Sequence, residues 1–169
     1  VVIAFSGGVD STFLAAAAYR VLGDNALALT GCSATLAQRE KEESAAFAKF
    51  IGIKHAFVEA SELKNIDFTL NGPDRCYYCK KERYGILLAW AEKHGYEWLI
   101  EGSNADDLKD YRPGLKRLAE MEKVRSPLLE AGLTKEEIRQ ISKEWGLPTW
   151  NKPSAACLSS RVAYGLTLT

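Results

Sequence analysis

Apolar and polar positions along the chain follow two rhythms that take turns. Val1-Val2-Ile3-Ala4-Phe5 is an unbroken, β-branched run that stops at Gly7-Gly8, which predicts a buried strand meeting a tight turn. From Thr12 to Leu22 the period changes, and Phe13, Leu14, Ala17 and Val21 fall on one helical face. The pattern then repeats, with a strand over 26–30 and a helix over 36–50 that carries a charged face from Gln38 to Glu43 and turns Ala46, Phe47 and Phe50 inward. A third strand over 54–59 is anchored by Phe57 and Val58, and 65–74, with Asn71-Gly72-Pro73, is a loop. Residues 77–94 form a long helix with Ile86, Leu87, Trp90 and Ala91 toward the core, ended by Gly95, and 98–100 is a fourth strand. Residues 103–132 read as irregular and charged, with a short helix over 115–121. Thr134-Lys135-Glu136-Glu137 is a capping box. It opens a helix with Ile138, Ile141 and Trp145 on one face, stopped by Gly146 and Pro148.

Strands alternating with helices predict an α/β fold, a doubly wound parallel sheet with right-handed crossovers. Ligands of such sheets bind beyond the carboxyl ends of the strands. That rule gathers residues 6–11, 30–33 and 102–110 on one edge.

Ser6-Gly7-Gly8-Val9-Asp10-Ser11 supplies the chemistry at that edge. Adjacent glycines let backbone approach a ligand closely, and the following helix N-terminus offers unpaired N–H groups and a positive dipole end. The hydroxyls of Ser6, Ser11 and Thr12 suit a phosphate or pyrophosphate. Asp10 would repel a polyanion unless a divalent cation lies between them, so it reads as a Mg²⁺ ligand. No Gly-Lys-Ser/Thr ending makes this a Walker A loop, and no third spaced glycine makes it a dinucleotide fingerprint. The loop resembles the SGGxDS loop of the PP-loop ATP pyrophosphatases, which cleave ATP between its α and β phosphates. An ordinary Gly-rich turn between strand and helix is the alternative. With the resemblance, Ser6, Gly7, Gly8, Asp10, Ser11, Thr30, Gly102 and Asp106 are the expected nucleotide-binding set.

Composition narrows the setting. A chain of 169 residues, 47% apolar, can bury one sizeable core. Lys+Arg and Asp+Glu each number 22, and a net charge of zero argues against a general nucleic-acid footprint. No apolar run approaches membrane-spanning length and no signal peptide is visible, so a cytoplasmic protein is expected. The chain starts inside a strand and stops after Leu166-Thr167-Leu168-Thr169, so both ends are expected to be trimmed. The four cysteines then read as thiols for metal or catalytic use.

Cys76 and Cys79 are three apart at a predicted helix start, with Arg75 and Lys80 beside them to favour thiolates. The pair alone fits a redox dithiol, half a zinc site or two simple thiols. With Cys157 it makes three, which fits a 4Fe–4S cluster with one open iron, and zinc sites with three cysteines or two histidines fit as well. Cys32 reads better as a small buried thiol than as a fourth ligand. Cys157, in a Ser- and Ala-rich stretch with Arg161 four residues on, reads as a loop thiolate facing an electrophile, or else as a buried loop cysteine. Asp106, Asp107 and Arg112 are candidates for Mg²⁺, ribose and pyrophosphate; a solvated acidic helix cap is the plain alternative for the two aspartates. His55 and His94 read as structural or solvent-facing.

Taken in order, SGGVDS, DRCYYCK, EGSNADDLKDYRPG, SPLLEAGLTKEEIR, GLPTWNKP and SAACLSSR resemble the LarE-type ATP-dependent sulfur transferases across the whole chain. Those enzymes make thiocarboxylates on the pyridinium precursor of the nickel-pincer cofactor of lactate racemase. The resemblance implies that ATP adenylates a substrate carboxylate with loss of pyrophosphate, after which sulfur displaces AMP. Cys157, Asp10 and Arg112 would then be catalytic. One family type sacrifices the sulfur of the cysteine matching Cys157. The other holds a 4Fe–4S cluster on cysteines matching Cys76, Cys79 and Cys157, and this chain has all three. ATP, Mg²⁺ and a 4Fe–4S cluster are the implied cofactors, with a small pyridinium carboxylate as substrate and a homo-oligomer as the expected state. Residues 1–150 would be the PP-loop domain, and 151–169 the cysteine-bearing loop and start of a C-terminal region. The rivals are a PP-loop tRNA thiolase, an amide-forming synthetase in the manner of NAD or GMP synthetases, and a nucleotide-binding or zinc-ribbon module.

Overall fold

The computed structural model describes residues 1–32, 38–60, 75–108 and 121–153, with backbone alone over 75–81. Its elements run β1 (Val2–Ala4), α1 (Val9–Leu22), β2 (Leu27–Cys32), α2 (Gln38–Ile51), β3 (Lys54–Glu59), α3 (Arg75–Lys93), β4 (Leu99–Ile100), β5 (Val124–Arg125), α4 (Pro127–Glu130) and α5 (Lys135–Glu144). Five parallel strands pair in the order β3-β2-β1-β4-β5. The expected doubly wound α/β sheet is therefore present. From β1 the chain winds outward through β2 to β3, then crosses back to β4 on the other side of β1. Strand order reverses between β1 and β4, which makes their carboxyl ends the crevice where a parallel sheet takes its ligand.

Neighbouring residues of β1 feed opposite layers because strand side chains alternate. Ile3 is fully buried with Phe13, Leu14 and Ala15 of α1, Ala48 of α2 and Ile138 of α5. Val2 is fully buried with Leu27 and Leu29 of β2, Tyr84, Leu87 and Ala91 of α3, Leu99 of β4 and Val124 of β5. Apolar burial on both faces accounts for the unbroken apolar run that opens the chain.

Several expectations need correction. Val21 does not face the core; it is 82% exposed. Burial in α1 changes along the helix more than around it, with Val9 and residues 11–16 buried, Asp10 partly so, and the last turn in solvent. In α2, Ala46 and Phe50 face outward. The inward stripe there is Ser44, Phe47, Ala48 and Ile51, at spacings of three and four, and it begins with a serine that size alone passes over. Phe57 is largely exposed because β3 is the edge strand, and it packs edge-on against His55 at 4.6 Å. The stretch taken as irregular contains β5 and α4, each too short to leave a periodic signal. The helix expected over 115–121 lies, up to residue 120, outside the described residues, as does the loop over 65–74. The capping box is as expected, with the Glu137 N–H donating to Thr134 Oγ1 at 3.2 Å.

Ile138 is the fully buried apolar residue with which α5 packs into the α1 layer, so Ile138→Ala should lower unfolding stability by about 2–5 kcal/mol in urea titrations. A loss below about 0.5 kcal/mol would contradict this packing.

Candidate functional site

The loop after β1 is built around Gly7. Its φ of +79° is a conformation that side chains rarely adopt, and a Cβ there would come within 3.1 Å of the Ser44 backbone in α2. Gly8 caps α1 from an extended conformation, and a Cβ on it would meet only Ser6 Oγ at 3.6 Å. Nothing in the described chain demands glycine there, so the absent side chain leaves room above the helix N-terminus for a ligand. Ser11 Oγ accepts from the Ser6 N–H at 3.2 Å and lies 3.2 Å from Ser6 Oγ, which closes the loop on itself.

Opposite this loop stands the end of β4. Gly102 is tight for a different reason: a Cβ would lie 3.1 Å from Ser11 N and 3.2 Å from Asp10 Cβ. Its absence lets the two segments meet at the switch point. Asn104, 1% exposed, then reaches across, donating from Nδ2 to Asp10 Oδ2 at 3.2 Å. Its own conformation is fixed by Asp107 Oδ2, which accepts its N–H at 2.8 Å, and by the Asp106 N–H, which donates to its Oδ1 at 2.9 Å. Below it, the buried Glu101 carboxylate accepts from the Ser103 N–H at 3.0 Å, from Ser103 Oγ at 2.8 Å and from Ser126 Oγ after β5.

Asp10 has a partner that sequence reasoning did not include. Lys135 Nζ donates to Asp10 Oδ2 at 2.6 Å, and the Lys135 backbone N–H donates to Asp106 Oδ2 at 2.8 Å. A signal for it did exist: Lys135 is the first residue of α5, where a cation opposes the helix dipole and is locally unfavourable. A lysine at a position that disfavours it points to a partner elsewhere.

Asp106 and Asp107 therefore act here as acceptors for backbone amides that shape the site. Asp10 Oδ1 is buried and has no hydrogen-bond partner among the described residues. That orphaned oxygen fits a Mg²⁺ ligand, because Mg²⁺ is usually held by one or two carboxylates together with substrate phosphates and water. Among the described residues no group of three or more His, Cys, Asp or Glu side chains is gathered to hold a metal by itself.

Thr30, at the end of β2, is turned to the loop's underside. Its hydroxyl donates to Phe5 O at 2.8 Å and lies 2.8 Å from His55 Nε2. With its proton committed to Phe5, the hydroxyl accepts from Nε2–H, which selects that tautomer of a neutral ring. Burial holds the His55 pKa below its ordinary value. Cys32 ends β2 as a half-buried free thiol. Cys76 and Cys79 lie in the first turns of α3, described as backbone only, while Arg112 and Cys157 lie outside the described residues. No described helix is long and apolar enough to cross a membrane.

This architecture matches known proteins in both sequence and shape. The model of the NAD synthase family matches residues 1–96, more than half of the chain. The chain belongs to that family, a PP-loop family of ATP-using enzymes. It is 48% identical over 167 residues to an uncharacterized protein of Synechocystis sp., covering 99% of this chain and 62% of that protein. It is 37% identical over 170 residues to the pyridinium-3,5-bisthiocarboxylic acid mononucleotide synthase of Lactiplantibacillus plantarum, covering 100% of this chain and 61% of that enzyme. The NMN synthetase of Francisella tularensis superposes with a TM-score of 0.70 at 19% identity, over 91% of this chain and 65% of that one, and shares the fold. The chain thus spans about three-fifths of the length of these two curated relatives.

The partly buried His55 gives the fold a pH dependence with a definite sign. The folded pKa lies below the unfolded one, so the unfolded chain binds the extra proton first and stability falls as pH drops through 6.5 toward the folded value. Stability attributable to this group is fully present above pH 6.5–7. His55→Gln should therefore lose less stability than the parent between pH 7.5 and 5 in denaturant melts; equal losses would contradict a lowered His55 pKa.

Proposed function

We propose that the protein is an ATP-dependent sulfur transferase that adenylates a substrate carboxylate, releases pyrophosphate, and converts the acyl adenylate to a thiocarboxylate, on a pyridinium precursor of a nickel-pincer cofactor. The observation that carries the reading is the constellation at the switch point. The glycine loop and the N-terminus of α1, with the orphaned Asp10 oxygen in its first turn, meet Lys135 at the start of α5. That is the equipment for splitting a polyphosphate. Backbone N–H groups and an ammonium stabilise the charge that builds on departing pyrophosphate, and a cation held by Asp10 would neutralise the rest. Ser6, Gly7, Gly8 and Ser11 line the phosphate side, and Thr30, Gly102 and Asp106 shape the remainder of the nucleotide pocket. Arg112 is assigned to the phosphates through its planar fork.

The sulfur half of the reading is supported by the 37% identity across the whole chain to the L. plantarum synthase and by the three cysteines. We assign Cys76, Cys79 and Cys157 to a 4Fe–4S cluster, whose open iron would supply sulfide to the acyl carbon. The pair at the start of α3 supports this assignment, since a helix N-terminus favours thiolates. Residues 1–150 then form the activating domain and 151–169 open the region that delivers sulfur.

Anaerobically purified protein, given ATP, Mg²⁺ and the pyridinium carboxylate, should release pyrophosphate and AMP in step with thiocarboxylate and contain iron and sulfide near four per chain. Iron-free protein whose Cys157 becomes dehydroalanine after turnover would replace the cluster reading by sacrifice of that cysteine. Absence of pyrophosphate release would refute adenylation. Lys135→Met should lower the rate of pyrophosphate release by roughly a hundredfold at temperatures where its melting profile shows it folded. An unchanged rate would remove Lys135 from the chemistry.

A further inference from the structure

We propose that Lys152 is a positioning residue for the nucleotide loop: its ammonium holds the Gly7 carbonyl so that the Gly7–Gly8 peptide turns its N–H toward the phosphates. The inference rests on the reading of residues 6–11 as the ATP site. Lys152 lies beyond α5, 145 residues from Gly7 in sequence, and its Nζ donates to Gly7 O at 3.1 Å. The same Nζ donates to Glu43 Oε2 of α2 at 2.9 Å and lies 5.2 Å from the centre of the Phe47 ring. Glu43 is in turn bonded by Arg39 Nε at 2.8 Å. The hydrogen bond from Lys152, first among its causes, lowers the Glu43 pKa. Three segments distant in sequence (the loop, α2 and the chain after α5) thus converge on one ammonium, whose side chain is only 23% exposed.

The consequence follows from peptide geometry. A trans peptide is planar, its C=O and N–H point in opposite directions, and no described bond is cis. With Gly7 O drawn to Lys152, the Gly8 N–H must face the other way, on the side of the loop away from Lys152. A glycine pair can rotate its shared peptide at little steric cost, so the sequence Gly-Gly alone does not choose an orientation. The flipped peptide would set an N–H against an ammonium and aim a carbonyl at an anion. Lys152 opposes both. Its Nζ is bonded at once to Glu43 and to the Gly7 carbonyl, so the role assigned to it runs through the loop.

The test uses a convenience of the sequence, in which Gly7-Gly8 is the only adjacent glycine pair. Protein labelled with carbonyl-¹³C, ¹⁵N-glycine gives one amide signal correlated with a labelled carbonyl, and that signal reports the Gly7–Gly8 peptide. Parent protein, Lys152→Met, Lys152→Arg and Glu43→Gln are compared by this signal and by calorimetric affinity for α,β-methylene ATP with Mg²⁺. Lys152→Met should move the signal and weaken binding roughly tenfold, with Lys152→Arg recovering most of both. Glu43→Gln, which keeps the ammonium and loosens its hold, should produce a smaller change in the same direction. In the parent the carbonyl shift should persist when nucleotide is added.

Parental affinity and an unmoved signal in Lys152→Met would overturn the inference. So would a parent whose carbonyl shifts to the Met value on adding nucleotide, since the ammonium would then have left the loop for the phosphates. Should Lys152→Met fail to fold, Lys152→Arg decides: matched changes in signal and affinity support the role, and lost affinity with an unmoved signal refutes it. A parent that binds no nucleotide would refute the ATP reading itself, a separate result.

Discussion

The ion pair between Asp10 and Lys135 joins residues 125 apart in sequence, and the site depends on it. Asp10 stands in the first turn of α1 and Lys135 opens α5, so two helix N-termini meet through one 2.6 Å contact. Two positive dipole ends and an ammonium around one crevice would repel one another in the absence of an anion. Asp10 supplies the negative charge that holds them together, and Asn104 steadies the same carboxylate oxygen from β4. In the proposed reaction a polyphosphate and its cation would take over that neutralising role. Helix N-termini and an ammonium fixed in advance by packing are the condition for stabilising charge that develops during reaction.

Packing holds this geometry in place. The crevice exists because strand order reverses between β1 and β4, and it is narrow because Gly102 lets the end of β4 abut the first turn of α1. On one face, Ile3, Phe13 and Ile138 link β1, α1 and α5 in one cluster. A rigid spacing between α1 and α5 is what allows Lys135 to meet Asp10. On the other face, Leu87 and Ala91 of α3 pack beneath β1, β2 and β4. The start of α3, with Cys76 and Cys79, thereby belongs to a helix packed on the same sheet that carries the glycine loop.

Much of the fold was legible because its main signals are local. The apolar run at residues 1–5, the Gly7-Gly8 break and the capping box at Thr134 each depend on neighbours within a few positions. Structure departs from local pattern where burial depends on distant partners. Val21 had the right period but lay past the covered part of α1, and Phe57 had the right size but lay on an edge strand. The two-residue strand Val124–Arg125 is specified by pairing with β4 and leaves no periodicity of its own. The same division holds at the site. Asp10 and the glycines were visible in one motif, whereas Lys135 and Lys152 reach it from 125 and 145 residues away. Only the dipole-opposing position of Lys135 hinted at a role; Lys152 had no local signal.

The central claim is that nucleotide phosphates and their cation occupy the space between the Gly8 amide, Asp10 and Lys135. A crystal structure of the protein with α,β-methylene ATP and Mn²⁺, with the metal located from its anomalous scattering, tests it most directly. The account predicts a metal peak within coordination distance of Asp10 Oδ1, bridging to phosphate oxygens, with Lys135 Nζ moved from the carboxylate to a phosphate. A nucleotide bound elsewhere, or bound here with the Asp10–Lys135 pair intact and no metal on Asp10, would contradict it.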